Sequence, residues 1–473
     1  MKLIGRKREI SILSAILKSN RPELIAVYGR RRVGKTFLVR NVCKTQICFE
    51  FSGIHNSSMK QQLHNFFLTL SAKMSGLAEP SSWLDAFHSL TQYLDSMPPN
   101  TKKAIFIDEF PWLDSRKSNF LPAFDNFWNS YASKRDDLAV IICGSAASYM
   151  IKNIVRSKGG LHNRITGKIH LLPFNLYDTE QLLKSNGVRL TRYDILQIYM
   201  VMGGVPHYLE KIMPGESVAQ AVDRLCFSKD GFLRDEFRNI FASLFNQHEN
   251  HEEIIRKLSS ARKGYTRQEI LRGIKLRSGG TLTKTLSELE ESGFIEKYFP
   301  FGQKINDSIY RLTDEYSLFY IKYIEDTKPS ESGVWIKIFS QPSFKIWCGF
   351  TFETICMKHI DQIREGLKIS GINSSYGSWI EKKTENAAQI DLLIDRADNV
   401  INLCEIKFYQ AEFIIDKAYA SEIARKTVAF TYGTKTKKSV FITFITTYGL
   451  IENEYSRQYV QNKLTMDHLF AEP

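Results

Sequence analysis

Short apolar runs recur along the first part of the chain, and stretches with apolar residues at helical spacing separate them. The runs are Leu24-Ile25-Ala26-Val27-Tyr28, then 46–53, 104–107, 138–145 and 168–174. Before them, Ile10, Leu13, Ile16 and Leu17 mark one face of a helix. Continuous rather than alternating runs suit strands buried on both sides, so the pattern predicts an α/β region with a parallel sheet between helical layers. Residues 176–248 change to helical spacing throughout, as in Leu182, Leu183, Ile195, Leu196, Tyr199 and Met200, and predict a helical lid and connector. From 251 to 314 the order is helix, helix, turn, helix, hairpin. Thr266 and Glu269 have capping-box spacing, Ser278-Gly279-Gly280 reads as a break, and Gly293 sits where the last helix should stop. The runs Phe294–Phe299 and Ile309–Leu312 predict the hairpin, and the whole has winged-helix order. A new pattern begins near residue 330, with helices around Trp335–Phe339 and Phe350–Cys356. A strand-like stretch at Ser378–Ile380 and two runs at 389–395 and 400–407 follow, the last two flanking a polar turn. The helix around Tyr419–Thr427, the strand-like run Ser439–Thr447 and a packed tail from Gly449 complete the pattern.

The first apolar run leads into Gly29-Arg30-Arg31-Arg32-Val33-Gly34-Lys35-Thr36, which reads G-x-x-x-x-G-K-T, and Phe37-Leu38-Val39-Arg40 suits the helix that should follow. Strand, glycine-rich loop and helix N-terminus are the context in which backbone N–H groups cradle phosphates. Lys35 is expected to reach the β- and γ-phosphates, and the Thr36 hydroxyl to ligate Mg²⁺. The run 104–107 ends in Asp108-Glu109, placing two carboxylates at the C-terminal edge of the sheet, where ligands of open α/β sheets bind. Asp108 is expected to hold Mg²⁺ and Glu109 to polarise the attacking water. Ser145, at the end of the next run, suits either contact with the γ-phosphate or a helix N-cap. Arg164, before the run 168–174, suits either a nucleotide-contacting finger or a surface arginine. Three successive arginines exceed what phosphate binding needs, leaving one or more for a neighbouring domain or nucleic acid.

The order of P-loop, Asp-Glu strand, Gly144-Ser145 strand and an arginine before Pro173-Phe174 resembles the AAA+ superfamily, and within it the STAND-type and "archaeal ATPase" families. Ile4-Gly5-Arg6-Lys7-Arg8-Glu9 resembles the entry segment of those proteins, which implies that Gly5 and Arg6 lie near the adenine. Met202-Gly203-Gly204-Val205-Pro206 resembles their lid element, which implies that Pro206 packs near the base or ribose.

In the C-terminal part, Asp391 opens one strand of the hairpin, and Glu405 and Lys407 stand two apart in the next, on one face. Asp391 and Glu405 can then share one Mg²⁺ or Mn²⁺ through oxygen ligands, with Lys407 orienting a water and stabilising a pentavalent phosphate. Glu353, in the preceding largely apolar helix, could complete the ligand set. Glu353, Asp391, Glu405 and Lys407 resemble the PD-(D/E)XK nuclease pattern, with Ile390 where a proline often precedes the first acid. Archaeal ATPases often carry such a domain at this end. The resemblance therefore implies a restriction-endonuclease-like α/β domain.

Composition then narrows the partners. With 64 Lys+Arg against 51 Asp+Glu the net charge is +13, which favours an anionic partner, nucleic acid and DNA first. Between Arg256 and Lys284 nine basic residues face the single acid Glu269, suiting either phosphate contacts or the solvated face of an internal packing module. The seven cysteines form no C-x-x-C pair, and several sit in apolar runs, as expected of reduced core residues in a cytoplasmic protein. No apolar run approaches membrane-spanning length, so no membrane partner is expected, and the N-terminus reads too charged for a signal peptide.

The expected layout is a P-loop ATPase core over 1–175, a lid and connector over 176–250, a winged helix over 251–325 and a nuclease-like domain over 326–473. The expected function is an ATP-hydrolysing protein whose nucleotide state controls a Mg²⁺- or Mn²⁺-dependent site acting on nucleic acid, with homo-oligomerisation through the ATPase domain open. A regulatory ATPase with a non-cleaving DNA- or protein-binding module is the alternative. Motifs for a translocating helicase are not found in the sequence.

Overall fold

In a computed structural model, five strands of the N-terminal region alternate with helices as the apolar runs predict. The structure describes residues 3–472 except 99–100, 116, 156–162, 246, 262, 276–278, 303–307, 330–332 and 382–387. Strands β1 (Glu23–Tyr28), β2 (Ile47–Ser52), β3 (Lys103–Asp108), β4 (Leu138–Gly144) and β5 (Gly167–His170) form one parallel sheet in the order β2-β3-β4-β1-β5. Alternate residues of β1, β3 and β4 enter two separate cores, as a pleated strand with both faces covered requires. On one face Leu24, Ala26, Ile105, Ile107, Val140 and Ile142 meet an aromatic-rich layer. That layer comes from α3 (Met59–Ser71), α4 (Trp83–Asp95) and α5 (Phe120–Ser130), where Phe66, Trp83, Phe87, Phe124 and Phe127 recur at helical spacing. On the other face Ile25, Val27, Phe106, Ile141 and Cys143 meet α1 (Lys7–Leu17) and α2 (Lys35–Val42). The strand expected over 168–174 is shorter, ending at His170, and Pro173, which has no N–H to give a ladder, lies just beyond.

The chain forms two compact units. One holds the sequence through Leu172, with short later pieces around 243–246 and 287–293, and the other holds most of the chain from Pro173 onward. The second unit opens with helices α6 (Leu176–Ser185), α7 (Arg192–Met202) and α8 (Pro206–Leu209), each started by a recognisable signal. Asn175 and Thr191 cap the first two through their side chains, and Pro206 occupies the first helical position of α8.

Next come α9 (His248–Ser259), β6 (Tyr265–Thr266), α10 (Arg267–Arg272), α11 (Gly279–Glu291), β7 (Ile295–Tyr298) and β8 (Ile309–Leu312). Thr266 makes the capping box with Glu269 that its spacing predicts. Gly279 and Gly280 open α11 instead of breaking the chain; Ser278 lies outside the described residues. The three strands pair antiparallel in the order β6-β8-β7. Several of the basic residues counted here are engaged internally. Arg256 pairs with Glu252 and Glu325, Lys257 lies over the Tyr265 ring, and Arg267 donates to the Gly279 carbonyl and Thr283 hydroxyl. Arg262 and Arg277 lie outside the described residues.

The C-terminal part is a second five-stranded sheet, order β13-β12-β11-β10-β9. Strands β9 (Ser374–Glu381), β10 (Ala388–Arg396) and β11 (Val400–Lys407) run antiparallel, while β12 (Ser439–Thr446) and β13 (Asn462–Thr465) add parallel to β11. The expected packed tail thus contributes a strand. Helix α13 (Lys417–Thr434) covers one face, where Ile423 and Phe430 meet Leu393, Ile401 and Leu403. Helix α12 (Pro342–Lys358) packs against β11 on the other, with Phe352 against Phe408 and Cys356 beside Cys404. All seven cysteines are free thiols and six are buried. Among the described residues no helix is long and apolar enough to cross a membrane.

Candidate functional site

The loop between β1 and α2 owes its shape to three residues with positive φ: Gly29 at 151°, Arg32 at 71° and Gly34 at 90°. A Cβ on Gly29 would lie 2.1 Å from the Leu171 carbonyl oxygen, so only glycine lets the loop leave β1 so close to the end of β5. Gly34 starts α2, and the Leu38 N–H closes the first turn on its carbonyl at 2.9 Å. The Lys35 ammonium, buried, donates to the Arg30 carbonyl at 2.9 Å, across the hollow of the loop. Arg6, itself at φ 61°, donates to the Val33 carbonyl at 3.2 Å, which ties the Gly5-Arg6 entry segment to the phosphate loop. Phe37 follows in the first turn of α2.

The carboxylates come from the neighbouring strand ends. Asp108 closes β3, and its Oδ2 accepts the Thr36 hydroxyl at 2.7 Å. The same carboxylate accepts the Glu109 N–H at 2.9 Å. Glu109 turns out of the strand at φ 46°, and its Oε2 accepts the Ser145 hydroxyl at 2.8 Å and the Ser145 N–H at 3.3 Å. The Ser145 side chain therefore does not cap a helix; it grips Glu109. Lys35, Thr36, Asp108, Glu109 and Ser145 are thereby assembled at one edge of the sheet. Burial, with Asp108 nearby, pushes the Cys143 thiol far above its ordinary range, keeping it a neutral wall. Arg164 stands exposed in the turn before β5. Pro206 is buried in the second unit, where Gly204, two residues before it, packs so tightly on Phe174 that a Cβ would lie 1.8 Å from the carbonyl oxygen. Hard oxygen donors from Thr36 and Asp108, beside a lysine, suit Mg²⁺ at this edge.

Residues 3–212 match the model of a family described as an ATPase domain predominantly from Archaea. Residues 3–212 carry an archaeal-type P-loop ATPase domain. The chain is similar over 68% of its length to the Walker-type ATPase paby2304 of Pyrococcus abyssi, covering 96% of that chain with a TM-score of 0.50 at 17% identity. It is 25% identical over 396 residues to the uncharacterized protein MJECL04 of Methanocaldococcus jannaschii, which spans 82% of this chain and 83% of that one. The Aeropyrum pernix ORC2 protein is also similar, with a TM-score of 0.43 at 15% identity over 72% of this chain and 96% of that one.

Beyond the ATPase domain, the C-terminal hairpin forms a second constellation. Leu392 pairs with Cys404, so Asp391 and Glu405 are the next positions of β10 and β11. The register of β10 against β9 shifts between Ile390 and Leu393, and that irregularity spans Asp391 and Leu392. Glu405 is gripped from α13: the Tyr419 hydroxyl donates at 2.6 Å and the Lys426 ammonium at 2.8 Å, while Lys407 stands at 3.8 Å. Asp391 accepts from the Gln389 amide. Burial opposes the charge on Lys426, yet Glu405 and Glu422 outweigh it and hold the ammonium above its ordinary pKa. Burial and then Glu405 push the Tyr419 hydroxyl far up, so it remains a donor. A cleft of about 580 Å³ opens here, lined in part by Asp391, Lys407, Arg425 and Lys426.

Glu353 is not brought to this group. It lies buried on α12, the helix on the sheet face away from Glu405 and α13, and among the described residues no cluster of three His, Cys, Asp or Glu side chains could hold a metal ion. Sequence spacing missed Lys426 and Tyr419 as partners of Glu405. The signal was faint: a helix expected to flank the site, with no pattern to say which turn meets the acid.

Proposed function

We propose that the chain is an ATP-hydrolysing switch whose nucleotide state governs a C-terminal, nuclease-like site acting on nucleic acid, DNA first. The observation that supports the reading is the hairpin register, in which Leu392 pairs with Cys404 and Asp391 and Glu405 are the next residues of the two strands, with Lys407 two residues on, in a chain whose other end is an ATPase domain.

In the ATPase site, Lys35 would leave the Arg30 carbonyl for the β- and γ-phosphates, and the loop N–H groups would hold them. Thr36 and Asp108 would hold Mg²⁺, which when bound neutralises charge on the phosphate oxygens. Glu109 would orient the attacking water, with Ser145 fixing its carboxylate. Arg164, exposed, is offered as a finger to a nucleotide held by a second copy. Gly5 and Arg6 are offered as nucleoside contacts.

In the C-terminal cleft, Asp391 and Glu405 are two oxygen donors that fit Mg²⁺ or Mn²⁺ completed by water and phosphate, and the ion would supply Lewis-acid polarisation. Lys407 would place a water and steady charge on the phosphate. The helix–strand–helix–helix–hairpin order of 248–312 supports a winged-helix reading of that module.

A second reading has its own support. Glu405 is held by Tyr419 and Lys426, and Glu353 stands on the other face, as suits a module that binds without cutting. An ATPase and nuclease panel on wild type, Lys35→Ala and Lys407→Ala, with ATP, Mg²⁺ or Mn²⁺, and single- and double-stranded DNA and RNA, decides. Cleavage lost in Lys407→Ala, and both turnover and control lost in Lys35→Ala, are expected. All substrates left intact by wild type would overturn the nuclease part, and unchanged turnover in Lys35→Ala the ATPase assignment.

A further inference from the structure

The residues just after β7 pack on the C-terminal sheet. The Phe301 N–H donates to the Ser378 carbonyl of β9 at 2.9 Å, and the Phe301 ring meets Phe430 of α13 at 5.7 Å. The Phe299 carbonyl lies 3.0 Å from where a Cβ on Gly377 would stand. The module of 248–312 is thus joined to the C-terminal sheet through Phe299 and Phe301, just after β7. The same module also supplies a charge to the cleft. Lys263, in the turn between α9 and β6, lines it together with Asp391, Lys407, Arg425 and Lys426. The turn is fixed in place by Gly264, at φ 79°, where a Cβ would lie 2.2 Å from the Tyr310 carbonyl oxygen of β8.

We infer that the helix–hairpin module is a wall of the C-terminal cleft, and that Lys263 is a phosphate-positioning residue for a single-stranded nucleic-acid segment bound there. The inference rests on the reading of this cleft as a nucleic-acid site. Lys263 and Arg425 come from different parts of the fold and are exposed at the cleft, whereas Lys407 and Lys426 lie deeper, beside Glu405. That arrangement places two exposed cations at the cleft and two deeper ones beside Glu405, in a lining that also includes Glu381 and Glu422. A volume of about 580 Å³ is that of a small-ligand pocket, suited to one or two nucleotides. A single strand can offer one or two nucleotides to a cleft of that size, whereas a base within a duplex must first be unstacked to enter a pocket.

The test is fluorescence anisotropy on the full chain, in EDTA to prevent cleavage, with a short labelled oligothymidylate and a duplex of equal length. Lys263→Glu is expected to weaken oligothymidylate binding about tenfold, leaving duplex binding within about twofold, and Lys263→Arg to bind as wild type. Thermal unfolding of the variants controls for folding. Equal loss in Lys263→Arg would mean a structural role and overturn the inference, as would equal loss on duplex. If Lys263→Glu binds like wild type while Lys407→Glu weakens, Lys263 is not a contact, though the cleft still binds nucleic acid. If Lys407→Glu is also unaffected, the nucleic-acid reading of the cleft falls with it.

Discussion

The Ser145 hydroxyl donates to Glu109 at 2.8 Å, between the ends of adjacent strands β4 and β3. Two donors on one oxygen leave the other oxygen of that carboxylate aimed by a fixed hinge. Ser145→Ala is therefore expected to lower kcat for ATP on the order of tenfold with KM little changed, since a hydrogen bond to a charged group contributes roughly 1.5–3 kcal/mol. Steady-state ATPase kinetics check this; a kcat at or above wild type would show that Ser145 restrains Glu109 instead of aiming it.

His359 gives the fold a pH dependence. Its Nε2 accepts the Leu176 N–H at 3.0 Å and its Nδ1 lies 2.8 Å from the Ile355 carbonyl, a pairing that needs the neutral ring with its proton on Nδ1. Burial, the largest cause, holds its pKa down to about 4. The unfolded residue titrates near about 6.5, so between those values the unfolded state binds the extra proton. The contribution is complete above about 6.5 and is lost as pH falls towards 4. Urea unfolding should show about 2 kcal/mol less stability at about pH 5 than at about pH 7 from this residue, and His359→Gln should flatten that part of the profile.

Glu315 is buried, and Lys358 donates to it at 2.6 Å; Gly203 lies so close that a Cβ would stand 2.8 Å from the carboxylate. Breaking one side of a buried pair is costly because the other charge remains. Lys358→Met should destabilise the second unit by about 3–5 kcal/mol, and adding Glu315→Leu should recover most of it. Melting curves of both variants settle the point, and an additive double variant would mean that the two residues act separately.

Lys426 occupies the Glu405 carboxylate that the proposed cation would share. If metal and ammonium compete there, Lys426→Met should tighten Mn²⁺ binding by about tenfold in calorimetry, and Asp391→Ala should abolish it. Unchanged affinity in Lys426→Met would place the ion elsewhere.

The sequence was most readable where chemistry is local. A glycine loop, a strand ending in two acids, a capping box at Thr266 and a hairpin with a polar turn each declare themselves within ten or so residues, because turn geometry and strand period are short-range properties. What stayed hidden depends on which face of a sheet a helix takes. Spacing within 350–356 places Glu353 in a helix, but nothing in it says that α12 lies opposite α13. Nor does charge counting separate Arg256, tied to Glu252 and Glu325, from a cation open to phosphate. The bond from Phe301 to β9 was equally illegible, since that strand lies some eighty residues downstream.

That bond has a consequence for handling the protein. β9 is one of the two outer strands of its sheet, and an uncovered outer strand is a template for pairing with another chain. The bond from Phe301 to Ser378 and the close approach of Phe299 to Gly377 cover part of that edge. A fragment cut from 326 onward would lose the cover, so the C-terminal sheet carries its own guard against self-association only while it remains joined to the segment before it.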